Sequence, residues 1–232
     1  MGRIIAISSG DLESTKVLNE YAVKRTIAIS KNVLFVGTAS KDSEGYIEYF
    51  SKSFSQIGCQ VKSLKLVTEK YSHEQIKELV TWADIIYVGG GDTIYMMNIW
   101  KENGFDLILK DVYKDDKAIL MGISAGAICW FNCGCTDSEL AIINEGSKYG
   151  WANDMLNIYD YAYCPHYEDR VKDFELLMKG KNINGLAMDS NTAFVEENGK
   201  IYYIKSKEEA KVYMFRYKNG KFDKEEMPVE RV

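Results

Sequence analysis

Short apolar runs alternate with helix-like segments along the first half of the chain. The apolar runs, which predict buried strands, cover residues 3–8, 32–37, 59–67, 84–88 and 117–121. Between them, apolar side chains recur every three or four positions, which predicts helices over residues 15–30, 46–57, 73–82, 93–101 and 105–113. This alternation is typical of an α/β fold with a mostly parallel sheet covered by helices on both faces.

The pattern changes after about residue 140. Short strands are predicted over residues 140–143, 159–163 and 185–188, with a helix over residues 170–178. Three more strands are predicted over residues 193–196, 200–204 and 212–217. Asn-Gly pairs at residues 198–199 and 219–220 favour tight two-residue turns, so the chain is expected to end in antiparallel hairpins. There is no internal repeat, and residues 1–232 are expected to form a single domain.

Composition and charge narrow the range of partners. The net charge is −5 and the basic residues are dispersed, which argues against nucleic acid or an anionic membrane as a partner. No apolar stretch is long enough to span a bilayer, and the first residues enter a strand without a signal-peptide pattern, so we expect a cytoplasmic location. The five cysteines are odd in number and lack zinc-site spacing, so we expect buried free thiols and no metal site.

The sequence Gly-Ile-Ser-Ala-Gly at residues 122–126 follows the fifth predicted strand. A small and then apolar segment leaves it, so a helix is expected through residue 131. Ser124 on such a strand–turn–helix corner would expose its hydroxyl at the carboxyl edge of the sheet, as a nucleophile requires. The following N–H groups would point to the place where an oxyanion develops. The alternative is that Ser124 only caps the helix.

Three consecutive glycines, residues 89–91, end the fourth predicted strand. They suit a phosphate-binding loop, but the later Gly of a dinucleotide motif and the Lys of a P-loop are missing. With Ser124 nearby in an α/β sheet, we favour an oxyanion hole built from the N–H groups of Gly90 and Ala125. A tight turn without any ligand is the alternative.

A nucleophilic serine needs a base, and the chain has two histidines. His73 opens a helix after Ser72 and is expected to be a solvated surface residue. His166 follows an apolar strand that ends at Pro165, so its imidazole is expected at a strand end, where it could accept the serine proton. His166 is therefore the candidate base.

The remaining candidates are charged side chains. Asp137 or Asp189 could hold the imidazole of His166 in the required tautomer, and sequence spacing does not decide between them. Arg170, one helical turn after His166, could bind a substrate carboxylate or could be a helix-surface charge.

Several motifs in this order resemble the peptidase E and cyanophycinase family of serine peptidases. They are Gly-Gly-Gly-Asp-Thr at residues 89–93, Gly-Ile-Ser-Ala-Gly-Ala at 122–127, Pro-His-Tyr at 165–167 and Gly-Leu-Ala-Met-Asp-Ser-Asn-Thr-Ala at 185–193. The resemblance implies a fold like that of class I glutamine amidotransferases, with Ser in place of their Cys, and a hydrolase without metal or cofactor. It implies that Ser124 is the nucleophile, that His166 is the base, and that Gly90 and Ala125 supply the oxyanion donors.

The resemblance leaves two places for the acid. One follows the nucleophile helix and matches Asp137; in the other, in the late strand, many members carry Glu where this chain has Ser190, beside Asp189. We therefore assign Asp137 and keep Asp189 as the alternative.

Family members favour an acidic residue before the scissile bond. The segment after His166, Tyr-Glu-Asp-Arg at residues 167–170, is short and acidic and does not reproduce the substrate loop of peptidase E. The implied function is a dipeptidase-like serine peptidase, with N-terminal Asp preference as an inherited expectation, acting on a small peptide as a monomer or homodimer. The alternatives are a hydrolase of non-peptide amides or esters, a non-catalytic small-molecule binding module, and a nucleotide-binding protein built on residues 89–91.

Overall fold

Two β-sheets, joined by short connections, form the framework of the protein. The computed structural model describes residues 2–26, 28, 30–141 and 148–232. The strands in chain order are β1 (Arg3–Ile7), β2 (Lys31–Val36), β3 (Cys59–Leu64), β4 (Ile85–Val88), β5 (Ile119–Ile123), β6 (Phe131–Thr136), β7 (Gly150–Ala152), β8 (Tyr159–Cys164), β9 (Gly185–Met188), β10 (Thr192–Glu197), β11 (Lys200–Lys205), β12 (Val212–Lys218), β13 (Lys221–Glu226) and β14 (Glu230–Arg231). The helices are α1 (Lys16–Val23), α2 (Glu44–Gln56), α3 (His73–Trp82), α4 (Thr93–Asn103), α5 (Phe105–Asp115), α6 (Ala125–Ile128) and α7 (Tyr167–Met178).

The larger sheet has the strand order β14-β11-β10-β1-β5-β4-β2-β3. Its β1, β5, β4, β2 and β3 are parallel, because one or two helices connect each of these strands to the next one along the chain. Strand β10 pairs antiparallel with β1 and forms a hairpin with β11, whose turn places Asn198 and Gly199 at positive φ. The predicted α/β architecture with a mostly parallel sheet and a late hairpin is confirmed.

Helices cover both faces of this sheet. On one face, Leu18 of α1 and Phe50 of α2 are buried against apolar side chains of the strands. On the other face, Ile76 of α3, Trp100 of α4 and Leu109 of α5 belong to a separate buried cluster. The two clusters arise because successive strand residues point to opposite faces.

The smaller sheet has the order β13-β12-β9-β8-β6-β7. Its β8, β9 and β12 coincide with predicted strands, but the sequence did not predict β6, β7 or the assembly of a second sheet. The expected helix through residue 131 was wrong, because α6 ends after one turn at Ile128 and β6 begins at Phe131. Strand β6 packs closely on that turn: a Cβ at Gly134 would lie 2.4 Å from Ile128 Cγ2. Burial between the sheets therefore overrides the apolar run's capacity to form a longer helix.

Smaller differences concern element ends. The helix predicted over residues 15–30 ends at Val23, where the Thr26 hydroxyl donates to the Val23 carbonyl at 2.8 Å. Of the strand predicted over residues 140–143, Leu140 lies in a 3₁₀ turn and residues 142 and 143 lie outside the described residues. The hairpin of β12 and β13 has the predicted Asn-Gly turn, and the five cysteines are buried free thiols as expected. No helix of the described part is long and apolar enough to cross a membrane.

Candidate active site

Ser124 occupies a strained corner between β5 and α6. Its φ of 53° and ψ of −114° are uncommon for a residue with a side chain. A Cβ at Gly122 would lie 2.0 Å from the Gly126 carbonyl oxygen, and one at Gly126 would lie 2.2 Å from the Val88 carbonyl oxygen. The two glycines are therefore required by close backbone packing, which holds a conformation that costs about 1–3 kcal/mol.

The backbone of Ser124 is anchored to the end of β1. Its N–H donates to the carbonyl oxygens of Ile7 and Ser8 at 3.2 and 3.1 Å. Its own carbonyl oxygen accepts the N–H groups of Ala127 and Ile128, each at 2.9 Å. These bonds on both sides of the residue fix the direction of its hydroxyl.

His166 meets that hydroxyl from the smaller sheet. The distance between Ser124 Oγ and His166 Nε2 is 2.9 Å, which is a hydrogen bond. His166 follows β8 and precedes α7 with a left-handed backbone, φ 53° and ψ 39°. Its backbone N–H donates to Ser8 Oγ at 3.1 Å, and that hydroxyl donates to the Met188 carbonyl at 2.7 Å. The structure therefore brings the candidate nucleophile and the candidate base together, whereas His73 is exposed on α3.

The surroundings of His166 favour the neutral imidazole. Burial lowers the pKa of His166 below its ordinary value of 6.5, and the nearby Arg170 guanidinium lowers it further. The carboxylates of Glu168, Asp137 and Asp169 act in the opposite direction, and the net shift is downward. A neutral ring with its proton on Nδ1 can accept the Ser124 proton at Nε2.

The predicted oxyanion donors border Ser124. A Cβ at Gly90 would lie 3.5 Å from Ser124 Cβ, so the triple-glycine loop passes directly beside the nucleophile. The Gly90 N–H donates to the Tyr46 hydroxyl at 3.5 Å, a contact from α2 that no sequence signal indicates. No described residue accepts a backbone hydrogen bond from the N–H of Ala125, the first residue of α6. Both N–H groups lie on segments that adjoin Ser124.

The two candidate acids have different environments. Asp137 directly follows β6, its side chain is 68% exposed, and its Oδ1 lies 4.0 Å from Arg170 Nη2. Asp189 Oδ2 accepts the Lys211 N–H at 3.0 Å, and burial raises the pKa of Asp189. Among the hydrogen bonds of the described residues, none joins either carboxylate to His166, so the assignment of the acid stays a prediction.

Arg170 is not the helix-surface charge that one sequence interpretation allowed. Arg170 is only 5% exposed, and its Nη1 donates to the Cys135 carbonyl at 2.8 Å. The guanidinium also lies over the Tyr149 ring, 4.6 Å from the centroid. Its predicted contact with a substrate carboxylate stays a prediction.

A further carboxylate, to which the sequence analysis gave no role in the site, lies beside Ser190. Both carboxylate oxygens of Glu168 are 3.0 Å from the Ser190 N–H. The Ser190 hydroxyl in turn contacts the Ser9 hydroxyl at 2.8 Å. Glu168 is in the first turn of α7, two residues after His166, so it places negative charge beside Ser190.

The Asp92 carboxylate connects the loop after β4 with the loop after β6. Asp92 Oδ1 caps α4 by accepting the N–H groups of Ile94 and Tyr95, each at 3.0 Å, and it also accepts the Ser138 hydroxyl at 2.7 Å. Within the part of the chain that the structure describes, no group of three or more His, Cys, Asp and Glu side chains is arranged to hold a metal ion.

Sequence comparison finds relatives among known peptidases. The uncharacterized peptidase YgaJ of Bacillus subtilis (strain 168) is 33% identical over 221 residues, covering 92% of this chain and 91% of that protein. Peptidase E of Nostoc sp. (strain PCC 7120 / SAG 25.82 / UTEX 2576) is 26% identical over 208 residues, covering 81% of this chain and 76% of that protein.

Solved structures share the fold. A peptidase from an acI-B1 Actinobacterium matches with a TM-score of 0.74 and 18% identity, covering 97% of this chain and 94% of that one. A putative peptidase E protein from Listeria monocytogenes EGD-e matches with a TM-score of 0.67 and 21% identity, covering 88% and 98%.

The family assignment rests on the sequence match. The profile of Peptidase family S51 matches residues 4–204, which include both glycine-rich corners, Ser124 and His166. The resemblance to peptidase E that the motifs indicated is thereby confirmed. The chain belongs to peptidase family S51, a family of peptide-bond hydrolases.

Proposed function

We propose that the protein hydrolyses short peptides through an acyl-enzyme formed on Ser124. The observation that carries the proposal is the 2.9 Å hydrogen bond between Ser124 Oγ and His166 Nε2 at a strained strand–helix corner. A serine hydroxyl at such a corner, hydrogen-bonded to a neutral imidazole, is the arrangement of an activated serine nucleophile.

In the first half of the reaction, His166 Nε2 takes the Ser124 proton while Oγ bonds to the substrate carbonyl carbon. The N–H groups of Gly90 and Ala125 bind the resulting oxyanion, and for this the Gly90 N–H turns from the Tyr46 hydroxyl to the substrate. The C–N bond then breaks, and His166 returns the proton to the leaving amine. In the second half, water attacks the ester, His166 takes its proton, and the acid product leaves as Ser124 regains its hydrogen.

Asp137 is the proposed orienting acid. This role requires the exposed carboxylate to turn from Arg170 to His166 Nδ1, and its charge already raises the pKa of His166. Asp189 is the alternative, but its carboxylate is bound to the Lys211 backbone.

The proposed substrate is a small peptide, in the manner of a dipeptidase, with N-terminal Asp as the preferred residue. The support for Asp preference is the family resemblance; the proposed partner of the substrate carboxylate is Arg170, whose buried guanidinium would have to turn from the Cys135 carbonyl to reach it. Glu168 and Asp169, both exposed next to His166, act against an acidic side chain. Substrate charge is therefore the first property to measure.

The experiment compares cleavage of a dipeptide library, including an N-terminal Asp series, by the wild type and by Ser124→Ala. A fluorophosphonate, which labels only an activated serine, is applied to both proteins, and Ser53→Ala on α2 serves as the matched serine control. We expect cleavage and labelling by wild type and Ser53→Ala, and neither by a folded Ser124→Ala. If Ser124→Ala turned over substrate as fast as the wild type, the assignment of Ser124 as the nucleophile would be refuted. Labelling of Ser124 without dipeptide cleavage would instead favour a different amide or ester as the substrate.

A further inference from the structure

One carboxylate connects the triple-glycine loop with the loop that carries Asp137. Ser138 Oγ donates to Asp92 Oδ1 at 2.7 Å, and the Ser138 residue is only 5% exposed. Asp92 follows β4 of the larger sheet, whereas Ser138 follows β6 of the smaller sheet. A short hydrogen bond to an ionised acceptor is among the stronger ones in proteins, so this contact ties the two sheets together at the site.

Asp137 is held by its neighbours on both sides. Thr136 is 1% exposed, and its Oγ1 accepts the Ser138 N–H at 3.2 Å and contacts Thr93 Oγ1 at 3.5 Å. Asp92, the partner of Ser138, is itself fixed, because its backbone N–H donates to the Ala39 carbonyl at 2.9 Å. The backbone around Asp137 is therefore packed against the start of α4, while the Asp137 side chain itself remains exposed.

We infer that Asp92 and Ser138 are positioning residues, which hold the Asp137 carboxylate within reach of His166 and fix the Gly90 loop relative to it. This inference rests on the proposed function. Neither residue touches the substrate; both act through the placement of other groups. The simpler role for Asp92, as the cap of α4 alone, explains its bonds to Ile94 and Tyr95 but not the buried Ser138 hydroxyl.

Two substitutions separate capping from positioning. Asp92→Ser retains a side-chain oxygen for the N–H groups of α4, since Ser is as good an N-cap as Asp, but it is too short to reach Ser138. Ser138→Ala removes the donor and leaves the cap intact. If the contact matters for positioning, both variants have the same defect, and the double variant is no worse than either single one.

The readout is the rate at which a fluorophosphonate labels Ser124 between pH 4 and pH 9, which needs no known substrate. The serine oxygen bonds to phosphorus, fluoride leaves, and His166 takes the proton. We expect both variants to label about 10- to 100-fold more slowly, the effect of displacing a catalytic group by about 1 Å. The charged groups that face His166 are Arg170, Glu168, Asp137 and Asp169.

Because the Asp137 carboxylate raises the pKa of His166, its misplacement lowers the midpoint of the labelling–pH curve. A merely structural contact would leave that midpoint unchanged. In an Asp137→Asn background, Ser138→Ala should have no further effect on the midpoint, because the contact acts on the pKa of His166 through Asp137.

Ser72→Ala is the matched control. It removes the capping box of α3, a comparable local loss away from the site, and should label like the wild type. Ser138→Thr keeps a hydroxyl and should restore most of the rate. If Ser138→Ala and Asp92→Ser both label at the wild-type rate and midpoint while Ser124→Ala does not label, the inference is overturned and the proposed function stands. If the wild type neither labels nor hydrolyses, the proposed function fails, and the inference with it.

Discussion

The hydroxyl of Ser8 holds His166 in place: the His166 backbone N–H donates to Ser8 Oγ at 3.1 Å. The same hydroxyl donates to Met188, and the carbonyls of Ile7 and Ser8 accept the N–H of Ser124. The end of β1 thus positions both partners of the Ser124–His166 hydrogen bond, although it contributes no reacting atom.

Ser8→Ala should therefore reduce both stability and activity. Ser8 is fully buried, so its loss leaves the His166 N–H and the Met188 carbonyl without this partner, at a cost of about 1–3 kcal/mol in the free energy of unfolding. Urea titration measures the first effect, and the rate of fluorophosphonate labelling measures the second. Ser53→Ala, on the outer part of α2, should change neither quantity. Wild-type labelling by Ser8→Ala would mean that the position of His166 does not depend on β1.

The activity should depend on pH through His166. Only the neutral imidazole accepts the serine proton, and the pKa of His166 lies below 6.5, so kcat/KM should fall with decreasing pH with a midpoint below 6.5. Glu168→Gln removes a charge that raises this pKa, so its midpoint should move to still lower pH. Glu175→Gln, farther along the same helix, is the control and should leave the midpoint unchanged. An upward shift in Glu168→Gln would contradict this electrostatic account.

Gly126→Ala should strongly destabilise the protein. The added methyl would lie 2.2 Å from the Val88 carbonyl oxygen, a backbone atom that cannot move alone. We expect a loss of about 1–3 kcal/mol or more in the free energy of unfolding, measured by thermal or denaturant unfolding. Gly45→Ala is the matched control, because a Cβ there meets nothing within 4 Å and α2 should become slightly more stable. Equal stability of the two variants would show that the corner can relax.

Substitution of the two candidate acids should give unequal results. Asp137→Asn should lower turnover about 10⁴-fold, the effect of removing the orienting carboxylate from a serine triad. Asp189→Asn should retain turnover within a few fold, because its carboxylate bonds to the Lys211 backbone. The measurement is kcat on a cleaved dipeptide, or the labelling rate if none is found. The opposite ranking would transfer the role of the acid to Asp189.

The periodic part of the fold could be predicted because each strand and helix carries its own local pattern. Strand β6 of the smaller sheet could not, since the apolar run after Ser124 suits a helix or a strand equally well. The packing of Gly134 on Ile128 selects the strand over the helix, and this contact exists only after the sheets have formed.

In the candidate site, too, some residues could be predicted from the sequence and others could not. Ser124 and His166 could be predicted because few residue types perform their chemistry and their flanking motifs are distinctive. Ser8 and Ser138 could not, because a serine that positions another group has no sequence signature. Their roles arise from where strands of the two sheets end, which depends on strand order.

The location of the nucleophile and the base in different sheets has a consequence for unfolding. Ser124 ends a strand of the larger sheet, and His166 follows a strand of the smaller one. A small relative movement of the sheets would separate Oγ from Nε2 while the backbone ladders within each sheet remain intact. In a denaturant titration, serine reactivity should therefore disappear before the circular dichroism signal does, and it would report an early, local opening of the molecule.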